Sequence, residues 1–122
     1  MICEVCKERI KHAAKNEKDA AIAQHGHFHS QHEAWAVLKE ETEEIEEICQ
    51  SVNRGIFQSM LDALWIDVKA DKQVKQDKLD EIYDAAFACV CEAVQVMAMC
   101  LKWGESFGDS KKQKGEIRGD ED

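Results

Sequence analysis

An all-α fold is expected from three observations. The 122 residues contain no proline, and before residue 104 the only glycines are Gly26 and Gly55. Apolar residues also recur at spacings of three and four through the later segments. Proline breaks helix interiors and glycine weakens them, so a chain this poor in both favours helices. The length suits one domain of about 100–200 residues. With 44% hydrophobic and 34% charged residues, there is material for both a core and a soluble surface. A helical bundle of about four helices over 1–103, followed by a polar tail over 104–122, is the architecture predicted.

The first helix is read over 3–23, with alanines at 13, 14, 20, 21 and 23 but a thin apolar stripe. Gln24-His25-Gly26-His27-Phe28-His29 follows as a short loop. Ser30-Gln31-His32-Glu33 then has the form of a capping box. In such a box the serine hydroxyl takes the N–H three residues on, and the glutamate reaches back. The second helix is expected from about 31 to 53, ending at the Asn53-Arg54-Gly55 C-cap signature. Phe57, Met60, Leu61, Leu64, Trp65 and Val68 give a third helix over 56–71. After a polar hinge at 71–76, the last helix is read over 77–103. Four of the six glycines lie in 104–122 with almost nothing apolar, a composition expected to be disordered.

Charge and segment type bound the function. Twenty-five acidic residues against 16 basic ones give a net charge of −9. Phosphate binding needs a basic face, so nucleic acid is not the expected partner. Metal ions, or anionic ligands held through a metal, fit the charge. No uninterrupted apolar run approaches the roughly 20 residues of a membrane span. The opening Met1–Arg9 lacks the basic-then-apolar order of a signal peptide. A cytoplasmic, non-membrane protein is the expectation. Cys49, Cys89, Cys91 and Cys100 sit among apolar residues and are expected as reduced, buried thiols.

The second helix carries the most informative pattern. At about 100° per residue, Ala34, Val37, Leu38, Ile45, Ile48 and Val52 share one arc. Glu41 falls near its middle, Glu33 and Glu44 at its edge, and Glu40 and Glu47 just outside. Thr42, Glu43 and Glu46 point the other way. A carboxylate on a core face loses hydration at a cost of several kcal/mol, unless a cation, a basic residue or a proton compensates. Either Glu41 pairs with a Lys or Arg of another helix, or Glu41 and Glu44, three residues apart, face a hard divalent cation.

The last helix is apolar almost all round from Ala85 to Leu101, as a central helix would be. Glu81, Asp84, Glu92, Gln95 and Lys102 nevertheless form one narrow stripe. That stripe is either a strip facing solvent or the counterpart of the acidic face, since bundles hold metals between facing helices.

The stretch Phe28–Glu44, FHSQHEAWAVLKEETEE, resembles the opening of MazG-like proteins, the all-α nucleoside triphosphate pyrophosphohydrolase superfamily. Glu92–Met99, EAVQVMAM, resembles the later helix of a phage and bacterial subgroup of it. The two blocks cover about a quarter of the chain. Members carry ExxE on one helix and ExxD on a later one, which together chelate Mg²⁺. Glu41 and Glu44 match ExxE, and Glu92 matches the first residue of ExxD. Gln95 stands where ExxD has aspartate; its carbonyl can reach a metal, but it adds no charge and cannot act as a base.

The resemblance implies a Mg²⁺-dependent hydrolase, with Mn²⁺ as a substitute, that splits a nucleoside triphosphate into monophosphate and pyrophosphate. Glu41, Glu44, Glu92 and Gln95 would face the metal, with Glu40 or another nearby carboxylate as base. Lys102 would steady a phosphate. His32 is placed at the site entrance, beside Glu33, or else is an exposed helix-start residue. Gln95 keeps a second reading open: a non-catalytic member that binds a nucleotide signal, or an interaction module. The small size and the thin first stripe suggest a homodimer or homotetramer.

Two further groups are weaker. His25, His27, His29 and His32 alternate on a loop rather than standing at i,i+4 on a helix, and Cys3-x-x-Cys6 lacks a second cysteine pair. Zinc at Cys3 and Cys6 would need His12 or a second chain. Trp35, Trp65 and Trp103 are read as core or interface residues rather than base-stacking platforms.

Overall fold

A computed structural model describes residues 1–51 and 54–108, with the backbone alone at 49–51, 54 and 56. The fold is all-α, with helices α1 (Glu4–His25), α2 (Gln31–Cys49), α3 (Ile56–Lys69) and α4 (Gln76–Phe107). Two short strands, β1 (Gln50–Ser51) and β2 (Arg54–Gly55), pair antiparallel between α2 and α3.

Helix α1 closes at Gly26, whose φ of 78° is the left-handed conformation open to glycine and whose N–H reaches Ile22 O at 2.7 Å. The start of α2 follows the capping-box expectation in one half. Glu33 N–H donates to Ser30 Oγ at 3.0 Å. The glutamate side chain, however, accepts from His29 N–H at 2.7 Å, one residue before the cap.

Helix α2 stops at Cys49 rather than near residue 53. Gly55, read as part of a helix C-cap, instead faces Gln50 across the strand pair. Residues 52 and 53, with the expected positions of Val52 and Asn53, lie outside the described residues. Helix α3 ends through Asp71, at φ 58°, with Asp71 N–H on Val68 O and Lys72 N–H on Asp67 O.

Helix α4 runs four residues past the expected boundary. Gly104 lies inside it, and Ser106 Oγ donates back to Lys102 O at 2.8 Å. The start of the polar tail is therefore helical, and 109–122 lie outside the described residues.

The chain divides into two compact units. The first comprises residues 1–41 and 94–108 of those described. Its core is Phe28, Ala34, Ala98 and Met99, with Ala21, Val37, Leu38 and Trp103 packed against them. Ala34 and Ala98 are fully buried, so α2 and α4 meet here through small side chains. Lys18 is also buried, with its Nζ 2.7 Å from Glu105 Oε1 and 2.6 Å from Asp19 Oδ1. Burial works against that charge, but the hydrogen bonds to Asp19 and Glu105 prevail and raise the lysine pKa.

The second unit, Thr42–Ala93, takes the end of α2, the strand pair, α3 and the first part of α4. Its buried side chain is a charged one, Asp67, which accepts from Lys78 Nζ at 3.1 Å. That ammonium also donates to Ala63 O at 3.2 Å. No apolar residue of this unit is buried among the described residues. Leu61, Trp65, Ile66 and Val68 of α3 and Leu79, Tyr83, Phe87 and Val90 of α4 are exposed.

This corrects the expectation of a buried α4: in a single chain its apolar circumference exceeds what the other helices cover. It also corrects the expected burial of the cysteines. Cys91 and Cys100 are exposed and Cys89 half-buried, while the Cys49 side chain lies outside the described residues. Cys3, Cys6, Cys91 and Cys100 are free thiols. By length and composition α4 would also reach across a membrane, although Glu92 and Gln95 interrupt its apolar sequence. Such a helix occurs equally in soluble proteins, so this decides nothing about location.

Candidate functional site

In the first unit, α1, α2 and α4 enclose a cavity of about 480 Å³. Four of the residues singled out from the sequence line it: Glu33, Glu41, Gln95 and Lys102. Phe28, Val37 and Met99 supply apolar wall, and Glu17, His25 and His27 supply further polar groups. His32 and Glu40 are exposed and are not among the lining residues.

Lys102 is the cation of this cavity. It is 6% exposed, and its Nζ stands 4.3 Å from the centroid of the Phe28 ring. A ring face attracts an ammonium through its quadrupole but does not neutralise it. No carboxylate lies within ion-pair distance of Lys102 among the described residues, so it can receive an anion. Gln95 presents the complementary need. Its Oε1 is buried without a hydrogen-bond partner among the described residues, an acceptor lacking a donor. Leaving such an atom unsatisfied costs about 1–3 kcal/mol.

Glu33 and Glu105 keep their charges for local reasons. The His29 backbone N–H, followed by weaker attraction from His29 and Lys102, holds the Glu33 carboxyl below the usual range. The hydrogen bond from Lys18, then that from His27 at 3.3 Å, does the same for Glu105.

The second unit brings together Glu44 of α2 and Glu92 of α4. Their carboxyl groups share a hydrogen bond, which with burial raises the Glu44 pKa above the ordinary glutamate range. Two carboxyl groups can share a hydrogen bond only with a proton between them, so this contact favours the protonated form. Glu92 Oε1 is buried and has no hydrogen-bond partner among the described residues. A group that could bind there must offer positive charge or a donor. A divalent cation accepting carboxylate oxygens meets that need, as does the proton itself. Glu41 stands one helical turn before Glu44 on α2, so the two project along one side of the helix.

The remaining expectations fall elsewhere. Glu81 and Asp84, in line with Glu92 on the sequence, are exposed. Thr42, expected to face solvent, is half-buried. Trp35 and Trp65 are each 57% exposed rather than core. Trp103 packs against the core and donates through its indole N–H to Gln31 Oε1.

Sequence reading passed over Lys18 and Glu17. The i,i+4,i+7 series Ala14, Lys18 and Ala21 was a usable signal for the former: a lysine between two core alanines needs an acid partner. Glu17 carried no such mark, because one acid among many on an exposed helix looks ordinary.

No family model, curated protein or solved structure matches the chain.

Proposed function

We propose that the protein is a Mg²⁺-dependent nucleoside triphosphate pyrophosphohydrolase, acting on nucleotides of a bacterial or phage cytoplasm. The observation that carries this reading is the Glu44–Glu92 pair with its unpartnered buried oxygen. An acidic pair costs stability at neutral pH unless something positive occupies it. A divalent cation would be held by Glu44 and Glu92, and the resemblance to the ExxE and ExxD motifs adds Glu41 and the Gln95 carbonyl oxygen as ligands. Mn²⁺ would serve in place of Mg²⁺. Bound there, the metal would supply Lewis acidity and a water of lowered pKa.

The protein's own side chains do the rest. Lys102 receives a phosphate oxygen, its Nζ set 4.3 Å from the centroid of the Phe28 ring. Phe28, Val37 and Met99 give the nucleoside an apolar wall. Glu40, exposed on α2, or another nearby carboxylate would take the proton of an attacking water. Glu33, fixed by His29 and kept ionised, holds the α2 start in place. His32 at the exposed helix start would meet only the outer end of a ligand.

Incubation with Mg²⁺ and a panel of triphosphates, followed by an assay for pyrophosphate, tests the reading. Release that is lost in Glu41→Gln supports it. Tight binding across the panel without release sinks the enzyme and leaves the second reading, a nucleotide-binding protein without turnover. Gln95 is the residue that favours this alternative, since a neutral amide adds no charge for the metal.

The exposed apolar residues of the second unit support a homodimer or homotetramer. Leu61, Trp65 and Val68 follow each other at helical spacing on α3, as do Leu79, Tyr83, Phe87 and Val90 on α4. Contiguous exposed apolar surface of this kind marks interaction sites in soluble proteins.

A further inference from the structure

The N-terminal cysteine pair plays no part in the proposed hydrolase. Cys3 is the N-cap of α1, extended at φ −79° and ψ 163°, and Cys6 lies three residues on, within the first turn. Cys3 is exposed and Cys6 half-exposed, so a reagent can reach the pair. Cys3 makes no capping bond of full geometry, yet its sulfur faces the Cys6 amide and thiol.

Residues three apart on a helix place their Cβ atoms about 5–6 Å apart. A disulfide needs about 3.5–4.5 Å. The gap is small, and its N-terminal side is an extended residue at the chain's first turn rather than a locked helical one.

Zinc is the competing use of such a pair. Among the described residues no third His, Cys, Asp or Glu gathers with Cys3 and Cys6 into a ligand group. His12, lying nearly two turns beyond Cys6, is not part of one. Two sulfurs fall short of the four ligands of a structural zinc.

We propose that Cys3 and Cys6 are a reversible dithiol–disulfide pair that exchanges with low-molecular-weight disulfides. In the first step the Cys3 thiolate attacks one sulfur of the disulfide. A mixed disulfide forms, and the other half leaves as a thiolate. Cys6 then loses its proton to solvent and attacks the Cys3 sulfur, expelling the second half. The protein gives up two electrons and two protons, and the disulfide is reduced to two thiols.

Division of labour within the pair follows from the local fields. The Cys6 amide N–H and then the Cys6 thiol stabilise the anion on Cys3 and lower its pKa. The hydrogen bond to Cys3 keeps Cys6 protonated and raises its own. Cys3 is thus the attacking sulfur and Cys6 the resolving one. Because the helix must give slightly to close the bridge, the disulfide would be readily reduced again.

Titration of the full chain with oxidised and reduced glutathione at graded ratios tests this, read by alkylation and intact mass. The expected result is the joint loss of two alkylatable thiols and of two hydrogens in mass, mapped to a Cys3–Cys6 peptide. In Cys6→Ser one glutathione should remain trapped on Cys3, and in Cys3→Ser the paired loss should vanish. The wild-type map needs no variant to fold. The proposal is overturned if Cys3 and Cys6 stay alkylatable at ratios that glutathionylate the exposed Cys91 and Cys100. Purified protein carrying one equivalent of zinc on the pair would overturn it as well.

Discussion

The two units of the chain use the same kinds of residue to opposite ends. In the first, alanines at 34 and 98 are fully buried, Phe28 and Met99 complete the core, and even the buried cations Lys18 and Lys102 have arranged surroundings. In the second, tryptophan, phenylalanine, tyrosine and five branched aliphatics stay exposed, and the buried side chain among the described residues is an aspartate. The difference is not one of hydrophobicity, because α4 is apolar through both. It is one of closure: three helical segments surround the first core, whereas the second offers a face that a single chain leaves uncovered. A helix apolar all round therefore signals that every side is to be covered, and does not say by which chain.

Substitution at matched places gives the sharpest contrast. Ala34→Asp puts an unpaired carboxylate into the closed core at a cost of several kcal/mol, a large part of a total stability of about 5–15 kcal/mol. Urea or thermal melts followed by circular dichroism should show the folded state largely lost. Phe87→Asp in the second unit should leave the helical signal and shift the mass measured by light scattering to that of a monomer. A monomeric wild type, or a folded Ala34→Asp, would break the comparison. Phe28→Ala should cost about 3–5 kcal/mol as a large-to-small core change. It should also weaken phosphate binding, because Lys102 loses its ring.

The acidic pair of the second unit predicts a pH signature. Folded Glu44 holds its proton above the ordinary glutamate value, so in the window between the two values the folded state binds more protons than the unfolded one. Stability should therefore fall as pH rises through that window. Asp67 has the opposite sign. The Lys78 ammonium holds its carboxyl low, and that contribution, present above the ordinary aspartate value, is lost as pH falls through the depressed one. Glu44→Gln should remove the first slope and leave the second, as thermal melts from acid to neutral pH would show. Last and smallest, Ser30→Ala should cost about 1 kcal/mol through the lost cap, seen as a few degrees of melting temperature.

Much of the helical order was legible in the sequence because its signals are local. Missing prolines, the Ser30–Glu33 cap and the polar hinge before Gln76 place four helices in the right order. The ends that moved did so for reasons beyond one residue's preference. Gly55 resembled a C-cap until pairing with Gln50 used the same backbone in a strand. Gly104 resembled the start of a tail, but α4 continues through it, with Ser106 bonded back to Lys102.

The candidate site was readable where a charged residue interrupts an apolar pattern. Glu41 and Lys102 line a cavity, and Glu92 and Gln95 carry unpartnered buried oxygens. Glu40, His32, Glu81 and Asp84 were chosen by proximity or alignment, and all four are exposed. Angular position on one helix does not tell how far a neighbouring helix extends.

Calorimetric titration of Mg²⁺ into metal-free protein, repeated with Glu92→Gln, tests the central claim most directly. Saturable binding to wild type is expected, accompanied by proton release near the Glu44 titration, with at least a tenfold loss of affinity in the variant. Absence of binding at millimolar Mg²⁺, or equal binding by both proteins, would contradict it.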